Sequence, residues 1–232
     1  MASKILNTIK GAAFVLLINL YSCTDFNFID GGLANGVHDC TMWEYFKNQP
    51  VDWDSTMVMI EHAGMKSYFD GSGKYKEITF FGITDLSIIR FLLNHNRQLD
   101  EEAAWTGEPV DESQYWRKVT DIPAEECASL LKKLIVPQRF MLKDIPQGTR
   151  LENPEEIGYI EQGGTVFSSL TGEVFVWVDP ENYANIKDAG AKVLWIARRL
   201  NTASNWMIAS SDIQTTNGVV HSLGYDFDMS KF

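Results

Sequence analysis

The tightest constraint in this sequence lies near the C-terminus. There Asn217-Gly218 runs directly into Val219-Val220-His221-Ser222-Leu223. Asn and Gly both tolerate positive φ, so the pair marks a tight turn. The segment after it is short and begins with two β-branched residues, and it reads as a buried strand. The residues Asp212-Ile213-Gln214-Thr215-Thr216 that lead into the turn are largely polar. A closing strand of this kind needs a sheet to join, so the rest of the chain must supply strands and the helices that cover them.

The upstream sequence supplies both. Thr41-Met42-Trp43-Glu44 has the spacing of a capping box and opens a helix that Pro50 should end. A second helix is expected from about Asp52 to His62, with Trp53, Met57 and Ile60 on one face and Gly64 as its stop. Ile78 to Phe81 reads as a buried strand. Thr84 or Asp85 is placed to cap the helix after it, on which Leu86, Ile89 and Leu93 share a side. Asp121 is a cap candidate for a helix with Pro123, Glu125 and Glu126 in its first turn. From Pro146 to Ser210 the pattern is β. Thr165-Val166-Phe167 is one strand, and Glu173 to Val178, apolar on both faces, belongs inside the sheet. Lys192 to Ala197 should pair next, and Trp206 to Ala209 leads into the closing motif.

Three of these segments together resemble the fasciclin domain family. Thr79, Phe80, Thr84 and Asp85 match its first signature, with Gly82-Ile83 where the family has Ala-Pro, a change expected to loosen the turn. Leu130-Leu131-Lys132-Lys133-Leu134-Ile135-Val136-Pro137 is similar to its central helix-to-strand segment. Asp212, Ile213, Asn217, Gly218 and His221 match its second signature, and Ala63-Gly64-Met65 fits the end of its opening helices. The resemblance implies a single α+β domain over residues 41–232, a compact β-sandwich or wedge with helices packed at one side. It also implies a non-enzymatic adhesion or binding role without cofactors. Lys133-Leu134 replaces the family's Tyr-His pair, which argues against integrin binding here.

The first 40 residues read differently. Residues 1–22 hold Lys4 and Lys10, an apolar run from Gly11 to Leu20 and no acid, which is the pattern of a signal peptide. Leu20-Tyr21-Ser22-Cys23 resembles a bacterial lipobox, which makes Cys23 the lipidation site and residues 23–40 a lipidated flexible tether. Thr24 in place of Asp favours the outer membrane of a Gram-negative cell. Of the other two cysteines, Cys127 falls on the apolar face shared with Leu130, Leu131 and Leu134 and reads as a buried free thiol, although a bridge to Cys40 stays open. The net charge of −11, or −13 without the two lysines of residues 1–22, repels nucleic acid.

The candidate functional residues fall in an acidic insertion at about 94–120. Trp105, Tyr115 and Trp116 stand among Asp100, Glu101, Glu102, Glu108, Asp111 and Glu112. Aromatic faces beside carboxylates suit sugars, because a ring covers the C–H patch of a pyranose while the acids accept from its hydroxyls. The alternative is that the aromatics pin the loop to the core. The candidate glycan or partner surface is therefore Trp105, Tyr115, Trp116, Asp111 and Glu112. Two further roles stay in view: a glycan-binding accessory of an outer-membrane uptake system, and a hydrolase using the insertion's carboxylates. His38, His62, His95 and His221 have no spacing that suits a metal. His221 reads as a structural residue, and Asp70-Gly71-Ser72-Gly73-Lys74 as a turn rather than a phosphate loop.

Overall fold

The computed structural model describes residues 35–148, 163–199 and 201–232. The expected signal peptide, Cys23 and most of the expected tether lie outside them. Gly36–Phe232 forms one compact unit. Residues 36–40 belong to it: Gln214 N–H donates to Gly36 O at 2.7 Å, and His38 N–H donates to Gln214 O at 2.9 Å. The helices are α1 (Met42–Asn48), α2 (Pro50–His62), α3 (Lys66–Phe69), α4 (Asp85–Thr106) and α5 (Ala124–Leu134). The strands are β1 (Ile78–Gly82), β2 (Ile135–Val136), β3 (Thr165–Ser168), β4 (Glu173–Pro180), β5 (Lys192–Arg198), β6 (Asn201–Thr215) and β7 (Gly218–Leu223).

The seven strands form one sheet in the order β2-β1-β7-β6-β5-β4-β3. β7 enters beside β1 as the sheet's parallel pair, with Ile78 opposite Gly218 and Phe81 opposite His221. The closing motif thus enters the sheet between β1 and β6 and is buried along its whole length. β4 places Val174, Val176 and Val178 in the main core and turns Phe175 and Trp177 to a smaller cluster on its other face. That two-sided burial explains its unbroken apolar sequence. Helix α5 buries Cys127, Leu130, Leu131 and Leu134, as their spacing requires, and Cys127 and Cys40 are both free thiols. Burial pushes the Cys127 thiol up to about 11, so it stays protonated and inert.

The junctions are less regular than their sequence suggests. Thr41 forms the expected capping box with Glu44. Pro50 does not simply end α1; it also starts α2, where its missing N–H costs nothing. Neither Thr84 nor Asp85 caps α4 through its side chain. The Asp85 carboxylate instead accepts from Ser55 N–H at 2.8 Å and Thr56 N–H at 3.4 Å, tying α4 to α2. Asp121 does not cap α5 either, but accepts from the Arg117 and Lys118 amides. Gly82 is needed for space rather than for a loose turn, since a Cβ there would lie 2.5 Å from the Trp53 ring. Thr79 and Phe80 behave as the motif implies. Thr79 Oγ1 donates to Gln138 O at 2.8 Å and accepts from Phe140 N–H at 3.1 Å, while Phe80 packs edge-on to Phe69.

The polar residues that lead into the turn are themselves part of a strand. Strand β6 continues to Thr215, and Asp212 sits in it at φ 60°, where the pairing with β7 shifts register. This is a β-bulge, and it turns two polar groups inward. Asp212 Oδ1 accepts from Leu142 N–H at 2.7 Å, and Asp212 N–H donates to His221 Nδ1 at 3.2 Å. Nδ1 is therefore the unprotonated nitrogen of a neutral ring. The 4.0 Å approach of Asp212 Oδ1 to Nδ1 is not an ion pair. Burial lowers the His221 pKa from 6.5 to about 4, with the neighbouring Phe140 backbone acting in the opposite sense.

Because the folded pKa lies below the unfolded one, the stabilisation is complete above pH 6.5 and is lost as pH falls towards 4. Each pKa unit corresponds to about 1.4 kcal/mol, so the loss over that window is about 3 kcal/mol. Urea unfolding of the parent should show this fall between pH 7 and 4.5, and the His221→Asn variant should show a flatter profile. Parallel profiles for the two proteins would refute the assignment.

Candidate functional site

The acidic insertion is part helix and part returning strap. α4 runs on to Thr106 and ends at Gly107, whose φ of 75° suits its left-handed cap. The chain then doubles back along the helix. Asn96 fixes the strap by a two-way bond: its Nδ2 donates to Trp116 O and its Oδ1 accepts from Trp116 N–H, both at 2.8 Å. His95 lies flat against the Trp116 indole with ring centroids 3.5 Å apart, and its Nε2 meets Gln114 O at 3.1 Å. Phe91 packs on Trp116 from the core side at 5.4 Å.

This anchoring shapes a cleft of about 390 Å³ between α4 and α5. Phe91, Trp116 and Leu130 give it an apolar wall, and Asn94, Gln98 and Glu126 line it with amides and a carboxylate. Lys133 reaches the same cleft and donates to Phe232 O at 3.2 Å; burial and the charge of Arg198 lower its pKa. His95 covers one face of Trp116, so only the remaining surface of the indole meets the cleft.

The five expected surface residues do not converge. Trp116 alone lines the cleft. Trp105 is 91% exposed in the last turn of α4. It lies nine residues beyond Asn96, about 13 Å along the helix axis, so the two tryptophans do not form one platform. Tyr115 donates to Asp100 Oδ1 at 2.5 Å, and that bond raises the phenol pKa. Asp111 accepts from the amide and hydroxyl of Ser113, which holds its carboxyl below the usual range. Glu112 pairs with Arg117, and Glu101 with Arg97. Asp100, Asp111 and Glu112 thus hold the strap in shape, whereas Glu101 pairs within α4. Among the described residues, Asp85 is the carboxyl pushed upward, chiefly by burial, and it is already bonded to α2.

Asn94, Gln98, Glu126 and Lys133 carried no signal in the sequence as site residues. They belong to two helices, and only packing brings them to one cleft. Asn96 has a partner 20 residues away and no motif to mark it. Among the described residues no three His, Cys, Asp or Glu side chains are placed to hold a metal ion.

The sequence matches no protein-family profile and no curated protein. Among solved structures, the chain is similar to a pair of FAS1 domains from the insect cell adhesion molecule fasciclin I, with 13% sequence identity and a TM-score of 0.50. The similarity covers 83% of this chain and 52% of the other, so the chain spans about half the length of the domain pair. The fold is therefore fasciclin-like and α+β, as the three sequence motifs imply.

Proposed function

We propose that this fasciclin-like chain is a non-enzymatic binding module of the adhesion type. In this reading a lipidated Cys23 holds it on the outer membrane of a Gram-negative cell, where it contacts surface proteins or glycans. The observation that carries the reading is the cleft between α4 and α5. Its volume falls in the range of small-ligand sites, and an aromatic wall beside amide and carboxylate groups is what a polyhydroxylated ligand requires. Asp100, Asp111 and Glu112 are engaged in holding the strap, so they do not supply the free pair of carboxylates that hydrolysis needs across a scissile bond. The same cleft also supports the second reading, an accessory to glycan uptake.

The test is a glycan and matrix-protein array probed with the full chain carrying Cys23→Ser, beside Trp116→Ala, Gln98→Ala and Trp105→Ala variants. The expected result is glycan binding weakened at least about tenfold by Trp116→Ala or Gln98→Ala, about 1.4 kcal/mol, and unchanged by Trp105→Ala. Loss in Trp105→Ala alone would move the site to the end of α4. Binding confined to matrix proteins would remove glycans from the proposal and keep the adhesion role. Release of cleaved sugar would overturn the non-enzymatic reading.

A further inference from the structure

Helix α4 has a face that neither the core nor the cleft uses. Leu86, Ile89 and Leu93 are 50%, 45% and 63% exposed, and their spacing makes one row over two turns. At 100° per residue this row lies roughly on the opposite side of the helix from His95 and Gln98. Next to it, an open groove of about 640 Å³ is lined by Met57 and Val58 of α2, Ile89 and Leu92 of α4, and Val119. Val58 is itself 42% exposed. A continuous apolar surface on a protein of net charge −11 is therefore open to solvent.

The groove's charges are sorted by wall. α2 contributes Asp54 and Glu61, seven residues or about 10 Å apart, and the strap contributes Arg117 and Lys118. Glu61 is paired with Lys66 and Arg117 with Glu112. All four side chains are well exposed, so these pairs are weak and readily exchanged. Two charged groups two helical turns apart match the repeat of one edge of a helix.

We infer that this groove docks an amphipathic helix of a partner protein. Apolar residues at i, i+3 or i+4, and i+7 enter the groove. A basic edge of the helix lies against Asp54 and Glu61, and an acidic edge against Arg117 and Lys118. A second copy of this chain is disfavoured as the occupant, because it would bring the same large negative charge. The inference is independent of the cleft, which lies on the other side of α4.

The test is fluorescence anisotropy with labelled 18-residue helical peptides and the full chain carrying Cys23→Ser. One peptide has a leucine row with lysines on one edge and glutamates on the other; two controls have lysines or glutamates on both edges. The mixed peptide should bind in the micromolar range, at least about tenfold tighter than either control. Ile89→Asp, a change at an exposed position, should weaken it at least about tenfold, while Trp116→Ala should leave it unchanged. The double variant Asp54→Lys, Glu61→Lys should come to prefer the all-glutamate peptide. Failure of the mixed peptide to bind, or equal affinity for all three, would overturn the inference. So would self-association of the chain that Ile89→Asp abolishes, because it would make a second copy the occupant.

Discussion

Gly218→Ala should leave the domain unfolded at room temperature. Gly218 adopts φ 153°, and a Cβ built on it would lie 2.0 Å from Ile78 O and 3.0 Å from the Ile78 carbonyl carbon. Both atoms are backbone of the adjoining strand and cannot rotate away. Relief requires separating β1 from β7, the parallel pair inside the sheet. A cost of about 5 kcal/mol is in the exceptional class for one substitution and matches the whole stability of many domains. Far-ultraviolet circular dichroism and thermal melting are the readouts. A cooperative melt within a few degrees of the parent would refute the argument.

Asn217→Ala should cost about 4 kcal/mol while leaving a foldable chain. Asn217 is 7% exposed. Its Oδ1 accepts from Met42 N–H at 2.8 Å and from Thr215 Oγ1 at 3.3 Å, and its Nδ2 donates to Phe69 O at 2.8 Å. One side chain thus holds the start of α1, the end of α3 and the β6–β7 turn together. Alanine strands a buried amide and a buried carbonyl, each costing about 1–3 kcal/mol. The urea midpoint at neutral pH measures the loss, and a change below about 1 kcal/mol would mean that water or a rearranged turn replaces both bonds.

These two neighbours show how a motif mixes local and distant causes. A turn just ahead of β7 was legible from Asn217-Gly218, although its two residues are Thr216 and Asn217, Asn217 does not adopt positive φ, and Gly218 opens the strand at φ 153°. That the asparagine serves mainly as a clamp between two helices, and that the glycine is required by another strand's carbonyl, follows from partners about 140 to 175 residues away. Asp85 makes the same point. Its position at the start of α4 suggested a cap, yet its carboxylate bonds to α2 amides 29 and 30 residues earlier in the chain.

The sequence by itself determined what rests on local chemistry and periodicity. It placed the capping box at Thr41, the buried face of α5, the two-sided burial of β4, the closing strand β7 and, through three motifs in order, the fold. Each of these depends on side-chain spacing along one element or on a few adjacent residues. Only the tertiary structure decided which apolar rows meet the core. Cys127, Leu130 and Leu134 on α5 are buried, whereas Leu86, Ile89 and Leu93 on α4 have an equally regular spacing and face solvent. It also separated Trp105 from Trp116 and assembled the cleft from residues of different elements. Periodicity fixes which side chains share a face; what lies against that face depends on how the elements pack, through contacts between residues far apart in the chain.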